Sequence, residues 1–256
     1  MSQSIKLYWS RSKPNFGDWL SPLICEALSG RRVEYAPIAR CDLVAVGSLF
    51  ERLPEGPFRR RLDVWGTGAI ESHRPRRSRH RFHALRGPLT AGLITNHRVT
   101  VFGDPGLLAP LLVPERPLPK RHRLGIVPHY KDAGLPAVAE LAAHFRGSTV
   151  IDVFEEPVAV LKHIASCDCI VSSSLHGLVT AHALGVPGLW LMVSESVRGA
   201  GWKFRDYYAA LGVTDPKAYS PRELLGSTLE DLQDRAGRPE VEAVREALTG
   251  SFPLRR

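Results

Sequence analysis

Short apolar runs alternate with longer stretches of helical periodicity over most of the chain. Residues 5–9 (I-K-L-Y-W) predict a strand, and residues 19–28 predict a helix after the turn N-F-G-D. Residues 43–48, 63–68, 82–86 and 99–103 each predict a further strand, most of them ending in small residues. Residues 110–119 then carry four prolines, which suits neither a helix nor a central strand and predicts a linker. The alternation restarts with a strand over 124–130, a helix over 136–144 and a strand over 149–153. A helix over about 157–166 leads to the strand Cys169-Ile170-Val171, followed by a helix from about 178, a strand over 188–192 and a helix over 203–211. The last stretch, 221–248, is charged, with apolar residues spaced along one helix face.

Strands separated by helices predict the α/β class, with parallel sheets covered on both faces. The proline-rich break divides the chain into a domain over 1–115, a second over 120–215 and a helical tail over 216–256. Two parallel-sheet domains on a short linker face each other across a cleft, and such sheets bind ligands beyond the carboxyl ends of their strands. The turns richest in chemistry all fall at those ends: 15–18, 66–68, 86–90, 103–105, 129–131 and 172–177.

Composition narrows the reading only slightly. The 256 residues are 44% apolar and 23% charged, as in an ordinary globular protein, and no window approaches the ~20 apolar residues of a spanning helix. The first nine residues have no secretory pattern, and Cys25, Cys41, Cys167 and Cys169 lack metal-pair spacing, so reduced, buried thiols of a cytoplasmic protein are expected. The net charge of +8 suits acidic partners. Much of it lies in R-P-R-R-S-R-H-R (residues 74–81), which reads either as a solvated loop or as a patch for anionic head groups or a polyphosphate. No aromatic interleaving there points to nucleic acid.

The most informative segment is Ser172-Ser173-Ser174-Leu175-His176-Gly177, at a strand-to-helix junction. Backbone N–H groups are free at a helix start and the dipole favours an anion, while His176 adds a proton donor or a positive charge. His182, inside the following helix, reads as structural. Arg86, opening a helix with Gly87 and Pro88, can grip a carboxylate or phosphate two-pronged, or pair locally with an acid. Asp104 can orient a cation or substrate hydroxyl, or cap the helix after Pro105; Asp18 likewise reads as a base or as an N-cap. Asn15 and Gly17 can place backbone amides near a ligand, and His129, Lys131, Lys203 and Arg205 are further candidates. Phosphate-loop, H-E-x-x-H, nucleophile-elbow and D-x-D signatures are absent, so no metal is expected.

Seven motifs in order — N-F-G-D, V-W-G-T-G, A-L-R-G-P-L-T, F-G-D-P-G-L-L-A-P, G-I-V-P-H-Y, S-S-S-L-H-G and K-F-R-D-Y-Y — span most of residues 15–208. Together they resemble the polysaccharide pyruvyl transferase family, and within it the exopolysaccharide ketal pyruvyltransferases of the xanthan and succinoglycan type. The resemblance implies two Rossmann-like halves similar to the GT-B glycosyltransferase fold. It implies phosphoenolpyruvate as donor substrate with no cofactor, and a lipid-linked oligosaccharide as acceptor at the inner face of the cell membrane. It places the family histidine on His176 and the family arginine on Arg86, with Ser173, Ser174, Leu175, Gly177 and His129 around the donor. Asn15, Gly17, Lys203 and Arg205 fall to the acceptor or a secondary role. His176 is then the general acid, and Asp18 or Asp104 the base. Some members carry arginine where this chain has Ser174; Lys203, Arg205 or His129 could supply the missing cation. A nucleotide-sugar glycosyltransferase on the same architecture, or a non-catalytic phosphosugar-binding module, are the alternatives.

Overall fold

Leu43 and Val44 are neighbours in sequence and both buried, yet they enter different cores, because successive strand residues point to opposite faces of a sheet. Ile126 and Val127, and Ile170 and Val171, divide in the same way. Burial on both faces is why these strands read as apolar runs. A computed structural model describes residues 4–13, 15–115, 117–194 and 198–254.

Strands β1 (Ile5–Tyr8), β2 (Val33–Tyr35), β3 (Leu43–Val44), β4 (Asp63–Trp65) and β5 (Arg81–Ala84) form an all-parallel sheet in the order β2-β1-β3-β4-β5. Strands β6 (Leu124–Val127), β7 (Ser148–Val150), β8 (Ile170–Ser172), β9 (Gly188–Leu191) and β10 (Ala218–Tyr219) form a second parallel sheet, β7-β6-β8-β9-β10. The two orders are the same permutation. The helices are α1 (Phe16–Ser29), α2 (Pro88–Ala91), α3 (Pro136–His144), α4 (Pro157–Ala165), α5 (Leu175–Ala183), α6 (Trp202–Ala210), α7 (Pro221–Leu225), α8 (Leu229–Arg235) and α9 (Glu242–Ser251). Each sheet is flanked by helices, consistent with two Rossmann-like α/β domains.

One core lies between the sheets and draws on both. Phe16, Leu20 and Ile24 of α1 meet Leu178 and Val179 of α5, Val160 and Ile164 of α4, and Leu107 and Leu108 of a 3-10 helix at Pro105–Leu112. The other two cores close the outer faces, with α3, α7 and α8 over the second sheet.

The structure departs from the sequence reading in four places. Residues 99–103 make an isolated bridge, Leu85 to Phe102, rather than a strand, since only Leu85 exchanges backbone bonds with them. The proline-rich segment begins inside the buried 3-10 helix, where Pro110 fits because few helical N–H bonds are required. Asn15, not Asp18, caps α1, with its Oδ1 accepting from Asp18 N–H. The stretch after residue 216 is not wholly helical: β10 is the edge strand of the second sheet, while α9 returns to the first half, where Leu248 O accepts from the Trp65 indole. All four cysteines are buried and free, and burial pushes the Cys41, Cys167 and Cys169 thiols up to about 12. Among the described residues no helix is long and apolar enough to cross a membrane.

Candidate active site

In each sheet the chain leaves its first strand to one side and returns to the other, so the connections after the first and third strands diverge and open a crevice. In the first sheet these connections carry Asn15 and Asp18 after β1, and Ser48 and Arg52 after β3. In the second they carry His129 after β6, and Ser174 and His176 after β8. All seven line one cavity of about 160 Å³, together with Lys203 from α6, Tyr130 and Val153. Phe16 N–H donates to Val153 O at 2.8 Å and ties the halves together at its edge.

His176 sits in the first turn of α5 with 13% of its side chain exposed. Its Nε2 is 3.7 Å from Asp104 Oδ2, too far for a hydrogen bond, and both atoms are buried without a hydrogen-bond partner among the described residues. The other Asp104 oxygen accepts from Gly106 N–H at 2.9 Å, so this carboxylate both caps the 3-10 helix and faces the imidazole. Gly17 makes room for the ring: a β-carbon there would stand 2.3 Å from His176 Nδ1.

The serine run divides its labour. Ser172 Oγ lies 2.7 Å from Val127 O and accepts from Ser174 N–H at 3.0 Å, locking the turn. Ser173 Oγ donates to Asp132 Oδ2 and accepts from His129 N–H, both at 2.8 Å, so its hydroxyl is spent on joining two loops. Ser174 is the N-cap of α5, makes no capping bond with its side chain, and lines the cavity with Leu175. Gly177 is closely packed, since a β-carbon would meet Ser172 Oγ at 2.2 Å. The first-turn N–H groups of α5 therefore open towards the cavity wall that Ser174, Leu175 and His176 form.

Charge in the cavity is mixed. Burial raises the Asp18 carboxyl above its ordinary value, opposed by His176, by a hydrogen bond from Asn15 Nδ2 at 2.8 Å, and by Arg52 and Lys203. Burial first, then repulsion from Arg86, lowers the Lys203 ammonium to about 8. Burial, then Lys203, Lys131 and His176, brings His129 down to about 3, so it is neutral at pH 7 and packs against the Tyr130 ring at a tilt of 33°. Arg52 Nη1 donates to Tyr8 OH at 2.5 Å, which aims its guanidinium along the cavity wall. Among the described residues no three His, Cys, Asp or Glu side chains converge as a metal site.

Arg86 and Arg205 stand elsewhere. Arg86 is fully buried beneath the cavity: Nε donates to Asp206 Oδ2 at 3.0 Å, one amino group bonds Ala69 O, and Nη1 donates to Ser48 Oγ at 2.8 Å. Ser48 thus accepts from Arg86 and keeps its own O–H to offer the cavity. Asp206 also accepts from Thr90 N–H at 2.9 Å and Thr90 Oγ at 2.6 Å. Gly87 lets α6 come this close, since a β-carbon there would stand 1.9 Å from Asp206 O. Arg205 is exposed and lines a separate cavity of about 670 Å³ beside Trp190 and Asp215. His182, read as structural, is buried, with Nδ1 2.9 Å from Tyr207 OH, and burial lowers it to about 4.

Sequence reasoning missed Ser48, Arg52, Asp132 and Asp206. Asp206 left a legible signal: an acid between Phe204 and Tyr207 on an aromatic helix face needs a buried cation. Arg52 left none, because only the packing of its 3-10 turn brings it to the cavity.

The family model described as polysaccharide pyruvyl transferase matches residues 3–195. The chain is 30% identical over 240 residues to the succinoglycan biosynthesis protein ExoV of Rhizobium meliloti (strain 1021), covering 90% of this chain and 71% of that protein. It is 27% identical over 186 residues to the uncharacterized protein L143 of Acanthamoeba polyphaga mimivirus, covering 70% of this chain and 64% of that protein.

Proposed function

We propose that this chain, which belongs to the polysaccharide pyruvyl transferase family, moves the pyruvyl group of phosphoenolpyruvate onto a sugar of a lipid-linked polysaccharide precursor and closes it as a cyclic ketal. The observation that carries this reading is the imidazole of His176, backed by Asp104 at 3.7 Å, in the cavity that both sheets' crevices share with Arg52 and Lys203. Arg52, Lys203, the Ser48 hydroxyl and the start of α5 hold the carboxylate and phosphate of the donor. These groups supply the cation that an arginine in place of Ser174 brings to other members. An anion so held favours the imidazolium of His176.

Proton transfer from His176 to the methylene carbon makes C2 electrophilic and turns C3 into a methyl group. A sugar hydroxyl attacks C2 and gives its proton to Asp18. The C2–O bond to phosphate breaks as the second hydroxyl adds, and the cationic wall stabilises the departing charge. Of the two hydroxyl protons lost, one balances the proton now on C3 and the other leaves with inorganic phosphate. Asp18 suits the base because burial raises its affinity for a proton. Asp104, against His176, keeps the imidazolium oriented. The halves then work as a GT-B-type pair at the cytoplasmic face of the membrane, the first offering the acceptor side and part of the donor grip, the second the rest of that grip at the start of α5.

The test is donor-dependent release of phosphate. Phosphoenolpyruvate should raise the thermal midpoint and release phosphate when acceptor is added, whereas UDP-sugars should do neither. Stabilisation by a UDP-sugar alone would favour glycosyl transfer. Lys203 predicts a pH signature. Its ammonium is present below about 8 and is lost above it, so kcat/KM for the donor should fall as pH rises through that value. Lys203→Arg should remove the fall; persistence of the same limb would take Lys203 out of the donor grip.

A further inference from the structure

Phe58 is 99% exposed, the most exposed of the large apolar side chains among the described residues. It stands in Gly56-Pro57-Phe58-Arg59-Arg60-Arg61, the connection that enters β4. Tertiary structure lays the second basic run, residues 74–81, against this loop. Arg79 donates to Gly56 O at 2.7 Å and to Pro57 O, and His80 Nδ1 accepts from Leu62 N–H at 3.2 Å. The second run is itself pinned, with Ser78 and Asn96 exchanging two bonds of 2.9 Å. The apolar tip is therefore presented by a braced loop.

The arginines here fall into two groups. Arg60 pairs with Asp42 at 2.5 Å, Arg81 grips Asp63 through two bonds of 2.8 Å, and the Arg76 guanidinium lies 5.4 Å from the Phe50 ring centre. Arg59, Arg61, Arg74 and Arg77 are exposed and pair with no acid among the described residues. Arg59 and Arg61 follow Phe58 in the chain, and the run that carries Arg74 and Arg77 is joined to the same loop through Arg79, which leaves a basic surface with an apolar point.

We propose that this surface, the Phe58 tip with Arg59, Arg61, Arg74 and Arg77, docks the protein peripherally on an anionic lipid bilayer. The guanidiniums meet acidic head groups, and the ring enters the boundary between head groups and acyl chains. A single phenyl does not make the run of stacking platforms that single-stranded nucleic acid uses, and His73, the other ring nearby, is stacked on Phe50 at 5.6 Å. Phe58, Arg59 and Arg61 lie where the chain enters β4 and Arg77 shortly before β5, whereas the catalytic cavity lies beyond the carboxyl ends of the strands, so docking through the Phe58 tip leaves the cavity mouth open. The surface stands on its own observations and does not depend on the pyruvyl-transfer reading.

Flotation of the full chain with vesicles of phosphatidylcholine, alone or mixed with phosphatidylglycerol, tests this. Binding should need the anionic lipid and weaken with salt. Arg59→Glu with Arg61→Glu should weaken it by at least ~10-fold, since each basic residue near such a surface contributes a factor of about 5. Phe58→Ser should weaken it several-fold with the thermal midpoint unchanged, because the ring is 99% exposed. Equal binding to both vesicle types, or wild-type flotation of Phe58→Ser, would each overturn the membrane assignment. Phosphate release with a soluble, lipid-free acceptor sugar reports on catalysis separately.

Discussion

His176→Ala is expected to lower turnover by about 10²- to 10⁴-fold, the range for a positioned proton donor, while the donor KM changes far less. The ring lines the cavity with its Nε2 buried towards the Asp104 carboxylate at 3.7 Å, which leaves the Nδ1 edge to serve a substrate. Electrostatic grip comes from other groups, namely Arg52, Lys203 and the start of α5, and these survive the substitution. Asp104→Asn should act in the same direction with a smaller loss, because it removes the orienting charge and leaves the acid in place. Single-turnover release of phosphate from phosphoenolpyruvate distinguishes these effects from slow product release. A His176→Ala enzyme with near-native turnover would assign the proton to another group, and Asp18 would then be the first to examine.

Asp206→Ala is expected to be the most destabilising single change in the molecule. Asp206 and Arg86 are both fully buried, and Asp206 accepts three hydrogen bonds, from Arg86 and twice from Thr90. Removing the acid strands a guanidinium in a dry interior, which costs about 3–5 kcal/mol. For a chain of this size the thermal midpoint should fall by roughly 6–20 °C. Arg86→Met together with Asp206→Leu should recover much of the loss, since a packed apolar pair removes both desolvation penalties. A single Asp206→Ala variant within about 2 °C of wild type would show that the site relaxes or hydrates. The double variant carries a functional readout as well. It should keep the fold but raise the donor KM, because Asp206 holds α6 against Gly87 and thereby holds Lys203 in the cavity.

That pair also marks where sequence reading was incomplete. Arg86, at the end of β5 and the start of α2, has the local setting of an anion-binding residue. What the setting does not reveal is an acid 120 residues away on α6 that takes its Nε. Ser173 is similar: its hydroxyl looks free in S-S-S-L-H-G, but Asp132, from another loop, has claimed it. His129 keeps its place at the cavity but loses its charge, because burial and the neighbouring Lys203 and Lys131 make a proton there unfavourable. Arg52 gains a role that no motif announces.

The chain by itself determined the alternation of buried strands and helices, the presence of two parallel-sheet halves, and the strand-to-helix turn that carries His176. These follow from local forces: apolar runs demand burial on both sheet faces, and a helix start leaves its amides open beside whatever residue stands there. Only the tertiary structure decided which charges face the ligand and which cancel one another beneath it. Coulombic partners and dehydration depend on distances between segments far apart in sequence. An arginine therefore has no fixed role until folding has chosen its carboxylate.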